Sequence, residues 1–497
     1  MDNLNVSSLA RAMTAGANLV YVVTENERST EGTVARAAAE AKVGEAIYVW
    51  TCTDGFRRGG SAVPETVEPL AALDFAQSQP GPALFLMKDL AAFWHDNPFI
   101  VRKLKTFAAG GGARRLVVLG QDERIPQALR EDLTVFQQGL PGIQEISSFL
   151  EQALKRDKLL SKTRAQDPEL LGKLVVAAQG LDFVEIERAV RALRLSGESR
   201  GEEIVQSLFE SKRQLVGRSG IMEFVVNSIG PGKVGGMENL KHWMTRREKA
   251  FGLEAITAGK RMPKGVLLMG VAGCGKSLFV KAIAAQWRLP LIRLDMAAVY
   301  DGTYGTPETS LRKAFQTAEA AAPCVLWIDE IEAGISTQGF KVEGGPASRV
   351  LGSFLTWMQE KTAPVFVAAT ANAIEMLPAE ILRKGRFDEI FYLGLPDPAA
   401  REEIFRIHLA AQKIDLALFN TSLLASSTRG FSGAEIEQAV LSAAFEALAE
   451  RRTLSHQDVL AAISRTVPMS VTMAEQIKKI ESWAFKRAVP ASGKAGG

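Results

Sequence analysis

At 497 residues, the chain is longer than one ordinary domain, and its composition (47% apolar, 23% charged) is that of an ordinary soluble globular protein. A net charge of +3 disfavours a protein that coats nucleic acid, and no apolar run approaches the roughly 18 residues needed to span a bilayer. Cys52, Cys274 and Cys324 form neither a CxxC pair nor a Cys/His metal set, and the start MDNLNVSSLARAMTAG lacks a secretory pattern, so the expected compartment is the reducing cytoplasm.

In chain order, short apolar runs at 18–24 (NLVYVVT), 46–50 (AIYVW), 83–87 (ALFLM) and 115–119 (RLVVL) read as buried strands. Helical patterns lie between them, as from Thr33 to Lys42, which predicts a parallel sheet covered on both faces. From about Glu145 to Lys212 the pattern is helical throughout, and the glycine-rich SIGPGKVGG at 228–236 marks a boundary. The plan then repeats, with strands expected at 265–269 (GVLLM), 291–294 (LIRL), 323–328 (PCVLWI), 364–369 (PVFVAA) and 390–393 (EIFY), and helices from Asp397 onward. GLDFVEIERAV (180–190) parallels GFSGAEIEQAV (430–440) without a gap, and ALFLMKDL (83–90) parallels CVLWIDEI (324–331). The chain reads as a tandem duplication of one α/β-plus-helical-lid module, in segments 1–145, 146–215, 216–396 and 397–497. An unrelated α/β partner domain is the alternative for the first half.

The second half carries the chemistry. Gly270-Val271-Ala272-Gly273-Cys274-Gly275-Lys276-Ser277 has the G-x-x-x-x-G-K-[ST] pattern, after the strand GVLLM and before the helix SLFVKAIAAQW (277–287), in which Leu278 follows the motif. The glycines let backbone N–H groups wrap phosphate oxygens at a helix N-terminus, Lys276 brings a charge to the β- and γ-phosphates, and Ser277 offers a hydroxyl to Mg²⁺. VLWIDE (325–330) is a buried strand ending in two acids at the sheet edge where ligands of open α/β sheets bind. Asp329 is the expected Mg²⁺ group and Glu330 the group that polarises water. Asn372 ends the strand PVFVAAT as a candidate γ-phosphate sensor, while Arg383 and Arg386 in LRKGRFDEI suit fingers that complete a neighbouring subunit's site.

With these residues the chain resembles the AAA clade of AAA+ ATPases over roughly 221–468, an α/β P-loop core with a helical lid. On that resemblance, Gly235 in VGGMENLKHWM (234–244) lies beside the adenine, His408 in RIHL near the nucleoside, and Gly433 and Ala434 of FSGAEIE (431–437) back onto the nucleotide. The resemblance also implies a homo-oligomer, expected to be a hexamer. A narrower similarity, to the "hypothetical chloroplast reading frame" AAA family of plastids and bacteria, extends over nearly the whole chain. It rests on SRVLGSFLTWMQEKTAPVFVAATAN (348–372), LPAEILRKGRFDEIF (377–391), VPMSVTMAEQI (467–477) and LVYVVTENE (19–27).

Two departures bear on function. The pore grip that many AAA motors carry reads Thr303-Tyr304-Gly305 here, with the aromatic one position late, and Pro307 stiffens the loop. In the second pore-loop region, Phe340 and Lys341 are further candidates. The first half has TENERST (24–30) in place of a phosphate loop, with Glu25 and Glu27 set to repel phosphate, and Lys88-Asp89 where the second half has Asp329-Glu330. It reads as a degenerate AAA-like domain that binds no nucleotide. The leading expectation is an ATP-driven remodeller of an unidentified protein partner. A slow nucleotide-gated assembly switch is the second, and a nucleic-acid motor is disfavoured by charge.

Overall fold

The computed structural model describes all residues except 1, 25, 44–45, 96, 111, 122–124, 139–140, 157–169, 197–200, 218–219, 227–228, 253, 256–257, 259–260, 302–304, 336–345, 384, 413 and 494–497. The chain divides into two compact units, Met1–Pro141 with Asp182–Val184, and Gly142–Leu181 with Glu185–Gly497.

The first unit has strands β1 (Asp2–Asn3), β2 (Leu19–Val23), β3 (Ala46–Thr51), β4 (Gly55–Arg58), β5 (Ser61–Ala62), β6 (Ala83–Met87), β7 (Arg114–Gly120) and β8 (Thr134–Gln137). They form one sheet, ordered β1-β8-β2-β7-β6-β3-β4-β5. Its centre is parallel, and β3-β4-β5 is an antiparallel extension at one edge. Both β2 and β6 are buried along their whole length, which is why they read as unbroken apolar runs.

In the second unit, β9 (Met222–Val225), β10 (Gly265–Gly270), β11 (Leu291–Leu294), β12 (Cys324–Ile328), β13 (Val365–Ala371), β14 (Glu389–Leu393) and β15 (Val489–Pro490) are ordered β15-β14-β10-β13-β12-β11-β9. Five adjacent parallel strands of this unit, β14-β10-β13-β12-β11, have the same chain-order pattern as β8-β2-β7-β6-β3 of the first. A shared order supports the duplication more strongly than the matched segments do. Alternate residues of β10 enter two cores, Leu267 and Met269 on one face of the sheet and Val266 and Leu268 on the other. The lid has its own core, around Phe405, Leu409, Leu424, Ile436, Val440 and Val459.

Segment 146–215, expected as the first module's lid, belongs almost wholly to the second compact unit. The helix Gly201–Gly217 runs directly toward β9, and Val216 joins the core under the second sheet. Gly180, at φ +81, sits so close to the end of the helix Pro307–Ala320 that a β-carbon would lie 1.6 Å from the Ala320 carbonyl oxygen. Fully buried Lys212 donates to the Ala322 carbonyl at 3.3 Å. After the lid, the chain returns to the sheet: the helix Ala474–Ala484 buries Ile480 and Ala484 in the core, and β15 pairs with β14. Among the described residues, no helix is long and apolar enough to cross a membrane.

Candidate active site

The phosphate loop leaves β10 and enters the helix Lys276–Trp287. Gly275 sits at φ +88, where a side chain is disfavoured, and this turn leads the loop into the helix N-terminus. Lys276 is buried, and its ammonium donates to the carbonyls of Gly270 (2.8 Å) and Val271 (2.9 Å). Burial lowers its pKa, against the pull of the Cys274 thiol and the carboxylates of Glu332, Asp329 and Glu330. Cys274 faces inward, and burial pushes its thiol up to about 12, so it stays neutral.

The acids stand opposite. The Ser277 hydroxyl donates to Asp329 Oδ1 at 3.4 Å. Thr370, at the end of β13, donates to the same oxygen at 2.6 Å and accepts the Glu330 N–H at 2.9 Å. Glu330 adopts φ +48, and its carboxylate accepts from the Asn372 amide at 2.8 Å. Buried Glu332 accepts from the N–H groups of Asn372 (2.7 Å) and Ala373 (3.0 Å), fixing the backbone that carries the amide. Neither Thr370 nor Glu332 belongs to a motif that the sequence displays. The available signals were a hydroxyl two places before Asn372 and a third acid two places after Glu330.

The remaining expected residues line one cavity of about 1420 Å³ with the phosphate loop: Gly235, His408, Gly433 and Ala434. The Ala434 N–H donates to the Gly273 carbonyl at 3.1 Å, tying the lid helix Gly433–Ala449 to the loop. Burial lowers the His408 pKa, with Glu437, 3.8 Å away, opposing it. Arg383 is outside this cavity. It is exposed and lines a second one, of about 1080 Å³, with Arg261, Lys264, Asp388, Lys486 and Arg487. Arg386 lines neither cavity, and its buried Nε has no hydrogen-bond partner among the described residues. Of the pore-grip residues, Gly305 is a bend at φ +106, while Thr303, Tyr304, Phe340 and Lys341 lie outside the described residues.

The corresponding edge of the first unit is closed on itself. The Thr24 N–H donates to the Gly120 carbonyl (2.8 Å), the Thr24 and Thr30 hydroxyls are 2.7 Å apart, and Thr30 donates to Gln138. Lys88 pairs with Glu31 at 2.8 Å, and Glu27 occupies the first turn of its helix.

Three family descriptions match the chain. Residues 266–395 match the ATPase family associated with various cellular activities (AAA), and 419–474 match the AAA+ lid domain. Residues 6–138 match the N-terminal domain of SpoVK-like AAA ATPases. An uncharacterized AAA domain-containing protein ycf46 of Trieres chinensis is 35% identical over 473 residues, 94% of each chain. The chain belongs to the ycf46 family of AAA proteins. Another family member, from Guillardia theta, is 35% identical over 477 residues, covering 94% of this chain and 92% of its own. The likeness to the ATP-dependent zinc metalloprotease FtsH of Thermus thermophilus is more local, 37% over 218 residues, 42% of this chain and 34% of that protein. The family assignment makes the second unit an AAA+ domain with lid and the first a SpoVK-like AAA module.

Proposed function

We propose that the protein binds ATP between the AAA core and lid and hydrolyses it, as a ring motor that remodels a protein partner in the cytoplasm. The observation that carries this is the paired network opposite the phosphate loop: Asn372 holds Glu330, and Thr370 holds Asp329, at 2.8 and 2.6 Å. Glu330, at the strand tip, polarises the attacking water. Asn372 sets the direction of its carboxylate. Lys276, which donates to loop carbonyls in the structure, turns its ammonium to the β- and γ-phosphate oxygens. The lid wall at Gly433, Ala434 and His408 and the entry wall at Gly235 hold the nucleoside and exclude water.

The donor set fits Mg²⁺, a hard cation that prefers oxygen. Ser277 and Asp329 converge to 3.4 Å, and among the described residues no group of three His, Cys, Asp or Glu would hold a metal alone. Ser277 and Asp329 would therefore hold it together with nucleotide oxygens and water, where it would neutralise phosphate charge.

Arg383 and Arg386 are absent from the cavity lined by their own phosphate loop, which favours action in trans on a neighbour within a homo-oligomer, for which we propose a hexamer. The Thr303-Tyr304-Gly305 grip favours a second reading, a slow nucleotide-gated switch that does not thread substrate. Phosphate release from ATP with Mg²⁺ tests both, measured alone, with an unfolded protein, and with single-stranded DNA. A motor is expected to be stimulated by the unfolded protein, and a switch to stay slow under all three conditions. Absence of both ATP binding and phosphate release would exclude both readings.

A further inference from the structure

The segment after the lid reaches the ATP cavity as well as the sheet. The Ala491 N–H donates to the Tyr392 carbonyl at 2.9 Å, extending the pairing of β15 with β14. The Ala491 carbonyl accepts from the N–H groups of Asn239 (3.0 Å) and Leu240 (3.3 Å), at the start of the helix Glu238–Arg247. The Asn239 side chain returns the contact, donating to the carbonyls of Pro490 (3.0 Å) and Gly493 (2.7 Å). Ser492 Oγ accepts the Met237 N–H at 2.8 Å. Pro490, Ala491 and Ser492 all line the cavity that holds the phosphate loop.

Met237 is the point of leverage. It adopts φ +62, a left-handed turn that residues with a β-carbon avoid, so something must hold it there. Its side chain lies over the phosphate loop, with Cε 2.9 Å from where a β-carbon on Gly275 would stand. The turn is gripped from two sides: Glu403 of the lid helix Pro398–Ala411 accepts the Gly236 N–H at 2.6 Å, and Ser492 accepts that of Met237. The nucleotide wall at 234–237 is thus held between the lid and a strap that comes from more than 250 positions later in the chain.

We propose that Met237 and the strap 490–493 are working parts of the nucleotide site. The strap keeps Met237 in its left-handed turn against the phosphate loop, and the affinity for adenosine triphosphate depends on that contact. The proposal rests on the reading of this cavity as an ATP site. Releasing the strap lets residues 236–237 relax, uncovers Gly275 and loosens the entry wall at Gly235. The hydrolytic groups Asp329, Glu330 and Asn372 stand on other segments and keep their hydrogen bonds, Asn372 to Glu330 and Thr370 to Asp329. The expected signature is lost affinity with preserved turnover.

The test uses the full chain and measures ATP Kd by calorimetry, with KM and kcat from phosphate release. Asn239→Ala removes both side-chain hydrogen bonds to the strap and is expected to raise Kd and KM by about tenfold, with kcat within about twofold of wild type. Ser492→Ala should shift Kd in the same direction, and Ser492→Thr, which keeps the hydroxyl, should recover most of that loss. Met237→Gly takes up the left-handed turn freely but uncovers Gly275, so it should also lose affinity. The proposal is overturned if Asn239→Ala and Ser492→Ala both bind ATP as wild type does. It is overturned equally if Ser492→Thr behaves like Ser492→Ala with a matching fall in melting temperature, which would mark a purely structural strand. Lys276→Ala in the same assay separates this idea from the one beneath it. If Lys276→Ala binds ATP normally, the ATP reading of the cavity fails; if only Lys276→Ala loses binding, the strap alone is wrong.

Discussion

Glu330 sits at φ +48, at the turn where β12 ends, and three hydrogen bonds fix its surroundings: its own N–H to Thr370, the Asn372 amide to its carboxylate, and Thr370 to Asp329. Glu330→Gln keeps the shape and an acceptor for Asn372 but loses the basicity that polarises water. ATP binding should persist while hydrolysis falls by about 10²–10⁴-fold, measured by calorimetry and phosphate release; normal turnover would move the base elsewhere. Lys212 makes a different residue-scale point. Burial lowers the pKa of its ammonium from an ordinary value near 10.5 to about 7, with Cys324 opposing. Between those values the unfolded chain binds a proton that the folded one lacks, so this group's contribution to stability rises with pH from about 7 to about 10.5. Lys212→Met removes that slope. Its melting temperature relative to wild type should therefore be more favourable at pH 7 than at pH 9.5, and an equal difference at both would refute the buried-neutral assignment.

At the scale of elements, the two sheets share a strand order, but only one has a phosphate cradle at its carboxyl edge. In the second, β10 leads into a glycine loop and a helix N-terminus. In the first, β2 leads to Thr24, whose backbone and hydroxyl contacts occupy that edge, and to a helix whose first turn carries Glu27. Asn26 Oδ1 accepts the Ser29 N–H at 3.1 Å and caps the helix N-terminus that a phosphate would use, and Glu27 adds negative charge beside it. The intact chain is therefore expected to bind one ATP, and Lys276→Ala none, by titration calorimetry with Mg²⁺. Two sites in the intact chain, of which one is lost in Lys276→Ala, would show that the first module still binds nucleotide.

For the whole molecule, activity is expected to be shared between subunits. Arg386→Ala retains its phosphate loop and should bind ATP, yet leave the neighbouring site without its finger. Mixing Arg386→Ala with Glu330→Gln should restore hydrolysis at those interfaces that pair an intact Glu330 with an intact Arg386. Co-purification through different tags establishes that mixed assemblies form. If they form and stay inactive, titration of wild type with Arg386→Ala decides between an arginine acting in cis and coupled firing: steep, greater-than-linear loss indicates coupling, and linear loss indicates independent sites.

The sequence by itself determined the elements whose signal is local. The nine expected strands appear within a residue or two of their runs, because a buried parallel strand needs an unbroken apolar stretch. The phosphate loop and the acid pair were legible because they require particular residues at fixed spacing on either side of a strand. Strands β1, β4, β5, β8, β9 and β15 escaped, since two to four residues show no period, and outside the local β3-β4-β5 pairing their partners lie far along the chain. The placement of segment 146–215 with the second unit was likewise decided by tertiary contacts, through the close approach of Gly180 to Ala320 and of Lys212 to Ala322. Thr370, Glu332, Met237 and Ser492 are ordinary residues in sequence. Only folding brings Thr370 within 2.6 Å of Asp329 and sets Ser492 under the backbone of Met237, because hydrogen bonds between distant segments leave no periodic trace in either one.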